Sequence, residues 1–292
     1  MVCVSTAPAH RMNEANGGPT VVRILLGGHL RRLREARGLT RDAAGHVIRA
    51  SESKMCRLEL GRVGFKARDV SDLLTLYGVS DEERASLLEM TREANAPGWW
   101  QHYSPVLPTW GEAFVALEEA ASVIRAFEIQ FLPPLLQTDD YARNLLALQH
   151  PDSPDAETSQ RVSLRARRRQ LLDQPYGPQL WAVIDEAALR RPIGGAEVMR
   201  AQIDHLIQTA ETYQHITIQV LPYSKASHVT CPGFTLLRFA ERDLPDVIYL
   251  EHLTGALYLD KPDEVQAYRV AMDQLTIYAL TPADSLAFLH SL

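Results

Sequence analysis

The sequence predicts an α+β protein in two unequal parts: an all-α N-terminal segment of five helices, then a larger α+β domain. Three observations predict it. Between residues 26 and 94 short apolar runs of helical period follow one another, each marked by a Ser or Thr start or a glycine stop. Runs rich in β-branched and aromatic residues gather only after residue 178. Charge divides as well: residues 20–68 carry twelve Lys/Arg against four Asp/Glu, net +8, whereas residues 69–292 carry seventeen against thirty-one, net -14.

The bulk composition sets limits on both parts. A chain of 292 residues with 46% hydrophobic and 23% charged residues has the apolar content for two cores and is too aliphatic to be largely disordered. Its longest apolar runs, such as residues 131–136, fall far short of the ~20 residues of a membrane helix. Residues 1–20 lack the basic start and apolar run of a secretory signal, read as a disordered arm, and imply a cytoplasmic protein. Cys3, Cys56 and Cys231 form neither an even set nor a CxxC pair, so no disulfide, metal site or cofactor is expected.

Each N-terminal helix has its own local signals. Leu26, Leu30 and Leu33 recur at helical spacing with Arg31, Arg32 and Arg34 between them, and Gly38 ends the run. Thr40 caps a short second helix over residues 41–48, in which Ala44 and Gly45 permit close approach of a neighbouring helix. Ser51 caps a third over residues 52–59, closed by Gly61, with Met55 and Leu58 facing the core and Glu52, Ser53 and Arg57 facing away. A fourth spans residues 68–77 before Gly78, and the capping box Ser80-Asp81-Glu82-Glu83 starts a fifth through Ala94. The domain is bounded at residues 21–96, where Ala96-Pro97-Gly98-Trp99-Trp100 marks a hinge into residues 97–292. Two short capped helices about three residues apart, the second with a polar outer face, have the geometry of a helix-turn-helix. The basic surroundings are the electrostatic footprint of phosphate contact, although charge alone leaves a solvated basic face open.

In the second part, residues 113–127 read as one helix through Phe114, Leu117, Ala121 and Ile124, followed by a proline-interrupted turn and a helix over residues 139–148. Residues 160–172 carry Arg161, Arg165, Arg167, Arg168 and Arg169 at ordinary helical spacing, favouring a solvated face over a second nucleic-acid patch. Strands are expected at 179–184, 216–221, 234–239 and 247–250, and helices at 195–213 and 262–280. The first two strands suit a parallel βαβ order and the last two an antiparallel hairpin. Asp185-Glu186, Glu251-His252 and His228 with Cys231 lack nucleophile-elbow, metal-ligand or phosphate-loop spacing, so no catalytic residues are expected and the chain is read as a non-enzyme.

The stretch LRRLREARGLTRDAAGHVIRASESKMCRLELGR resembles the XRE family of repressor-like helix-turn-helix regulators. The match lies in Gly38-Leu39-Thr40, Gly45, Ser51 with Ser53-Lys54, and Arg57-Leu58-Glu59 with Gly61. One departure stands in the turn, where the family usually has Gly-Val and this chain has Arg49-Ala50. The resemblance implies binding to double-stranded operator DNA, with Glu52, Ser53 and Arg57 facing base edges. It places Arg41 on a phosphate; Lys54, Arg62, Lys66 and Arg68 are read as further phosphate contacts. It also implies a buried structural ion pair between Arg34 and Glu59, and a packing role for Cys56.

Further along, Leu117-Glu118, Ile124 to Glu128, Phe131 to Thr138 and Tyr141-Ala142-Arg143 resemble the C-terminal domain of uncharacterised function found in many actinobacterial XRE regulators of the WhiJ-like, antitoxin-like type. Pro134 replaces that motif's usual glycine. The resemblance implies a small partner protein encoded nearby, or an effector, that controls DNA binding; the alternative is an antitoxin-like protein that sequesters its partner and binds DNA for autoregulation. One recognition helix reads too few base pairs for genomic selectivity, so a homodimer on paired half-sites is expected. Trp99, Trp100, Trp110 and the terminal Leu286, Phe288 and Leu289 are the candidate interface residues, with a core role as the simpler account of them.

Overall fold

The computed structural model describes residues 18–292 except 62, 175–176, 229–230 and 242–243. Arg62, read as a phosphate contact, and most of the N-terminal arm lie outside the described residues.

The five N-terminal helices are α1 (Pro19–Ala36), α2 (Arg41–Val47), α3 (Glu52–Glu59), α4 (Ala67–Tyr77) and α5 (Asp81–Ala94). α1 opens at Pro19, inside the segment read as an arm, where proline's missing N–H costs nothing at the first helical position. The hydroxyls of Thr40, Ser51 and Ser80 accept from the amides of Ala43, Lys54 and Glu83 at 3.1, 3.3 and 3.2 Å, so three of the starts are set by their caps. Leu26, Leu30, Met55, Leu58, Leu73 and Leu74 fill the space between the helices and are at most 2% exposed.

The second part holds α6 (Thr109–Ala120), β1 (Val123–Glu128), α7 (Asp139–Gln149), α8 (Asp155–Arg169), β2 (Gln179–Asp185), α9 (Glu186–Arg190), α10 (Ala196–Thr212), β3 (Ile216–Leu221), β4 (Phe234–Arg238), β5 (Val247–His252), β6 (Gly255–Leu259), α11 (Pro262–Tyr278) and α12 (Pro282–His290). The sheet order is β3-β2-β1-β4-β5-β6. β1, β2 and β3 run parallel, and β4, β5 and β6 continue as an antiparallel meander. Ile124, Leu180, Val220, Leu237 and Tyr249 belong to the larger core, and Phe127, Val183, Leu221, Leu236 and Ile248 to a second one sealed by Val265, Met272 and Leu275 of α11.

Two expectations need correction here. The helix read over residues 113–127 stops at Ala120, and Val123–Glu128 is a central strand paired with both β2 and β4. Ile124 kept a helical spacing from Phe114 by coincidence, and pairing on both sides overrides it. The basic helix α8 is not a solvated face. Arg168 is inserted against the buried Glu118, its Nε and Nη2 at 2.7 and 2.8 Å from the two carboxylate oxygens, while Arg165 donates to Gln137 and Arg169 to the Gln137 carbonyl and Asp139.

The larger core runs unbroken from the N-terminal helices into the second part, through α1 against α6. Trp100 is buried and Leu289 lies in this core with Leu286 and Phe288 packed on it, so these residues are occupied within the chain.

Candidate nucleic-acid interface

α3 is amphipathic by position. Met55 and Leu58 are buried against the other helices, whereas Glu52, Ser53 and Arg57 all stand exposed on its outer side. Because α3 ends in a buried carboxylate, its orientation is fixed as well as its depth. Glu59 is 3% exposed, and Arg34 of α1 clamps it with Nε 2.5 Å from Oε1 and Nη2 3.0 Å from Oε2. Arg34 Nη1 also donates to the Leu39 carbonyl at 2.7 Å, tying the start of α2 into the same knot. Hydrogen bonding to Glu59 holds the guanidinium of Arg34 above even its usual basicity, against the opposing effect of burial.

The expected ion pair is therefore present, with a third member. Arg41 points its Nε at Glu59 Oε2, 3.0 Å away, and remains one-third exposed at the N-terminus of α2. Of the other candidate phosphate contacts, Lys54 reaches Asp69 at 3.4 Å and Arg68 lies 3.9 Å from Asp72, while Lys66 is exposed at the N-cap of α4. These are long surface pairs of the kind worth about 0–1 kcal/mol, so either cation can turn to another anion at little cost.

The distance between α1 and α3 is set by a residue that periodicity did not mark. A Cβ on Gly27 would stand 2.6 Å from the Leu58 carbonyl oxygen and 2.7 Å from that of Glu59, so the α1 backbone lies directly on the last turn of α3. Gly61 does the same after α3: its φ is +64° and a Cβ would meet Ile24 Cα at 2.6 Å. Gly45 is required for a different reason from helix-helix approach, because its Cβ would strike the Ala50 carbonyl oxygen, in the turn, at 2.7 Å.

That turn forms without glycine. Arg49 takes φ of +53°, and among the described residues no other non-glycine has a positive φ. The Arg49 amide donates to the His46 carbonyl at 3.2 Å and the Ala50 amide to Gly45 at 2.8 Å, the double closure of a Schellman turn with arginine in the left-handed position. The turn residues Arg49-Ala50 thus reproduce the chain reversal at the expense of local strain.

A short capped helix, a left-handed turn and a second capped helix with a polar outward face define a helix-turn-helix domain, here followed by an α+β domain on a mixed sheet. Residues 25–87 match the family described as a helix-turn-helix domain. Residues 112–291, well over half of the chain, match the family described as a domain of unknown function (DUF5753), and the chain belongs to that family. Neither a curated protein nor a solved structure matches it. No helix among the described residues is long and apolar enough to cross a membrane.

Proposed function

We propose that the protein is a sequence-specific regulator of transcription that binds double-stranded DNA as a homodimer through α3, under the control of its C-terminal domain. One observation carries the reading: Glu52, Ser53 and Arg57 share the exposed face of a helix whose opposite face and last turn are fastened by Met55, Leu58 and the Arg34–Glu59 clamp. Arg57 offers the two parallel donors that match guanine O6 and N7, Ser53 pairs with several base edges, and Glu52 accepts from cytosine N4. Lys54, Lys66, Arg68 and the free edge of Arg41 surround that face for phosphate contact, which supplies affinity without reading sequence.

Control through the second domain is supported by α1, which packs on α3 at Gly27 and also on α6, so that one helix touches both parts. A small partner protein or effector bound to the C-terminal domain would act on DNA binding along this helix. Two of the residues that could suggest catalysis there have contacts within the fold: Asp185 accepts from the Ala187 amide at 2.8 Å, and Glu186 holds both Arg190 and the Tyr223 amide. A binding role for this domain is the reading we adopt. The experiment is a salt-titrated binding assay with the chain's own upstream DNA against random duplex. A regulator shows strong preference for the former and a steep fall of affinity with salt, whereas equal affinity for both removes the reading.

A further inference from the structure

The six-stranded sheet finishes its two edges differently. At β3 the edge is closed by the chain itself, since the Leu280 amide donates to the Val220 carbonyl at 2.8 Å and the Val220 amide to Ser285 Oγ at 2.9 Å. At β6, among the described residues, backbone pairing ends with β5. The β6 sequence Gly-Ala-Leu-Tyr-Leu contains no charge and no proline, the usual devices that keep a bare edge solitary. Leu257 in its middle is 53% exposed, and Leu253 at the hairpin tip is 99% exposed.

We propose that β6 pairs antiparallel with β6 of a second copy of this chain about a twofold axis at Leu257, joining two sheets into one. The inference deepens the homodimer part of the proposed function and does not depend on which DNA is bound. An antiparallel pair of identical strands must be complementary to itself, and this one is. With Leu257 facing its own counterpart, Tyr258 falls opposite the counterpart of Ala256, and Leu259 opposite that of Gly255. On either side of the central leucine pair, large residues meet small ones, Tyr258 with Ala256 on one face of the ribbon and Leu259 with Gly255 on the other. Beyond the strand, Asp260 falls opposite Thr254 and Lys261 opposite Leu253, so no like charges meet. The strand is also fixed in advance, because Tyr258 donates its hydroxyl to the Trp110 carbonyl at 2.5 Å. A strand from an unrelated protein would need this match by accident, whereas a second copy has it by symmetry.

The test is the mass of the purified full-length chain by sedimentation or light scattering at micromolar concentration. The expected result is twice the chain mass of 32.7 kDa for the wild type and a single mass for Leu257→Lys, with unchanged circular dichroism. Mixing Leu257→Lys with Leu257→Glu restores the double mass, and Leu148→Lys, on exposed α7 surface, leaves the wild-type dimer intact. Amide exchange at residues 255–259 slows as wild-type concentration rises, a readout that needs no variant. A monomeric wild type overturns both this pairing and the homodimer. A dimer that persists in Leu257→Lys overturns the pairing alone.

Discussion

Arg34 of α1 and Glu59 of α3 form a forked ion pair, with Nε 2.5 Å from Oε1 and Nη2 3.0 Å from Oε2, at a site where both side chains are almost wholly excluded from solvent. Its removal leaves a buried charge without its partner. Glu59→Ala is expected to cost about 3–5 kcal/mol in urea unfolding, since it strands Arg34 in the interior. Arg41→Ala removes one bond from a side chain that is one-third exposed and should cost only about 1 kcal/mol. Equal losses for the two would show that the clamp does not depend on burial.

Arg49 bears a left-handed backbone that glycine adopts freely. Arg49→Gly is therefore expected to stabilise the protein by about 0.5–1 kcal/mol, the relief of strain exceeding the added freedom of the unfolded chain. Arg49→Val should destabilise it, because a β-branched residue resists that conformation. Thermal unfolding of the two variants beside the wild type measures both signs.

Two adjacent glycines in α1 should behave oppositely. A methyl on Gly27 collides with the backbone of α3, so Gly27→Ala is expected to lose about 1–3 kcal/mol and to weaken DNA binding by tilting α3. A methyl on Gly28 comes no nearer than 3.9 Å to the side chain of Arg32, so Gly28→Ala is expected to gain up to about 1 kcal/mol of helix propensity. Similar losses at both positions would contradict the close approach of α1 to α3.

The helix-turn-helix was readable in the sequence because each helix announces itself locally. Thr40, Ser51 and Ser80 cap the starts, and Gly38, Gly61 and Gly78 take the positive φ values just beyond α1, α3 and α4. The ladder of β1 is long-range: Val123 pairs with Gln179 on one side and Arg238 on the other, and nothing within residues 113–127 reports those partners. β6 carries no such local signal, because its turn, Leu253-Thr254, has neither glycine nor asparagine and the strand shows little alternation of burial. For the candidate site, the exposure of Glu52, Ser53 and Arg57 followed from spacing, but the attachment of Arg41 to Glu59 and the contact at Gly27 depend on how α1 crosses α3.

Glu128 gives the C-terminal domain a pH dependence. It lines a cleft with Phe114, Ile124 and Leu135, and burial, reinforced by the neighbouring negative charge of Glu251, raises its carboxyl to about 8 from an ordinary 4.5. Between those values the unfolded chain sheds the proton and the folded one keeps it. Stability from this group is therefore whole below pH 4.5, falls as pH rises toward 8, and is level above. Glu128→Gln should remove that fall and be the more stable protein at pH 8, a difference read from denaturation midpoints of both proteins at pH 5 and pH 8. Parallel midpoints for the two would contradict the raised carboxyl.

The central claim is that the exposed face of α3 reads DNA, and Arg57 is the residue on which it depends most. The most direct measurement compares wild type and Arg57→Ala for binding to the operator in the chain's own upstream DNA and to random duplex over a range of salt. Loss of a forked contact to guanine is expected to cost about 1–3 kcal/mol on the operator, relaxing preference at one base pair and leaving random-sequence binding nearly unchanged. Arg57→Ala binding the operator with wild-type affinity and selectivity would contradict the account.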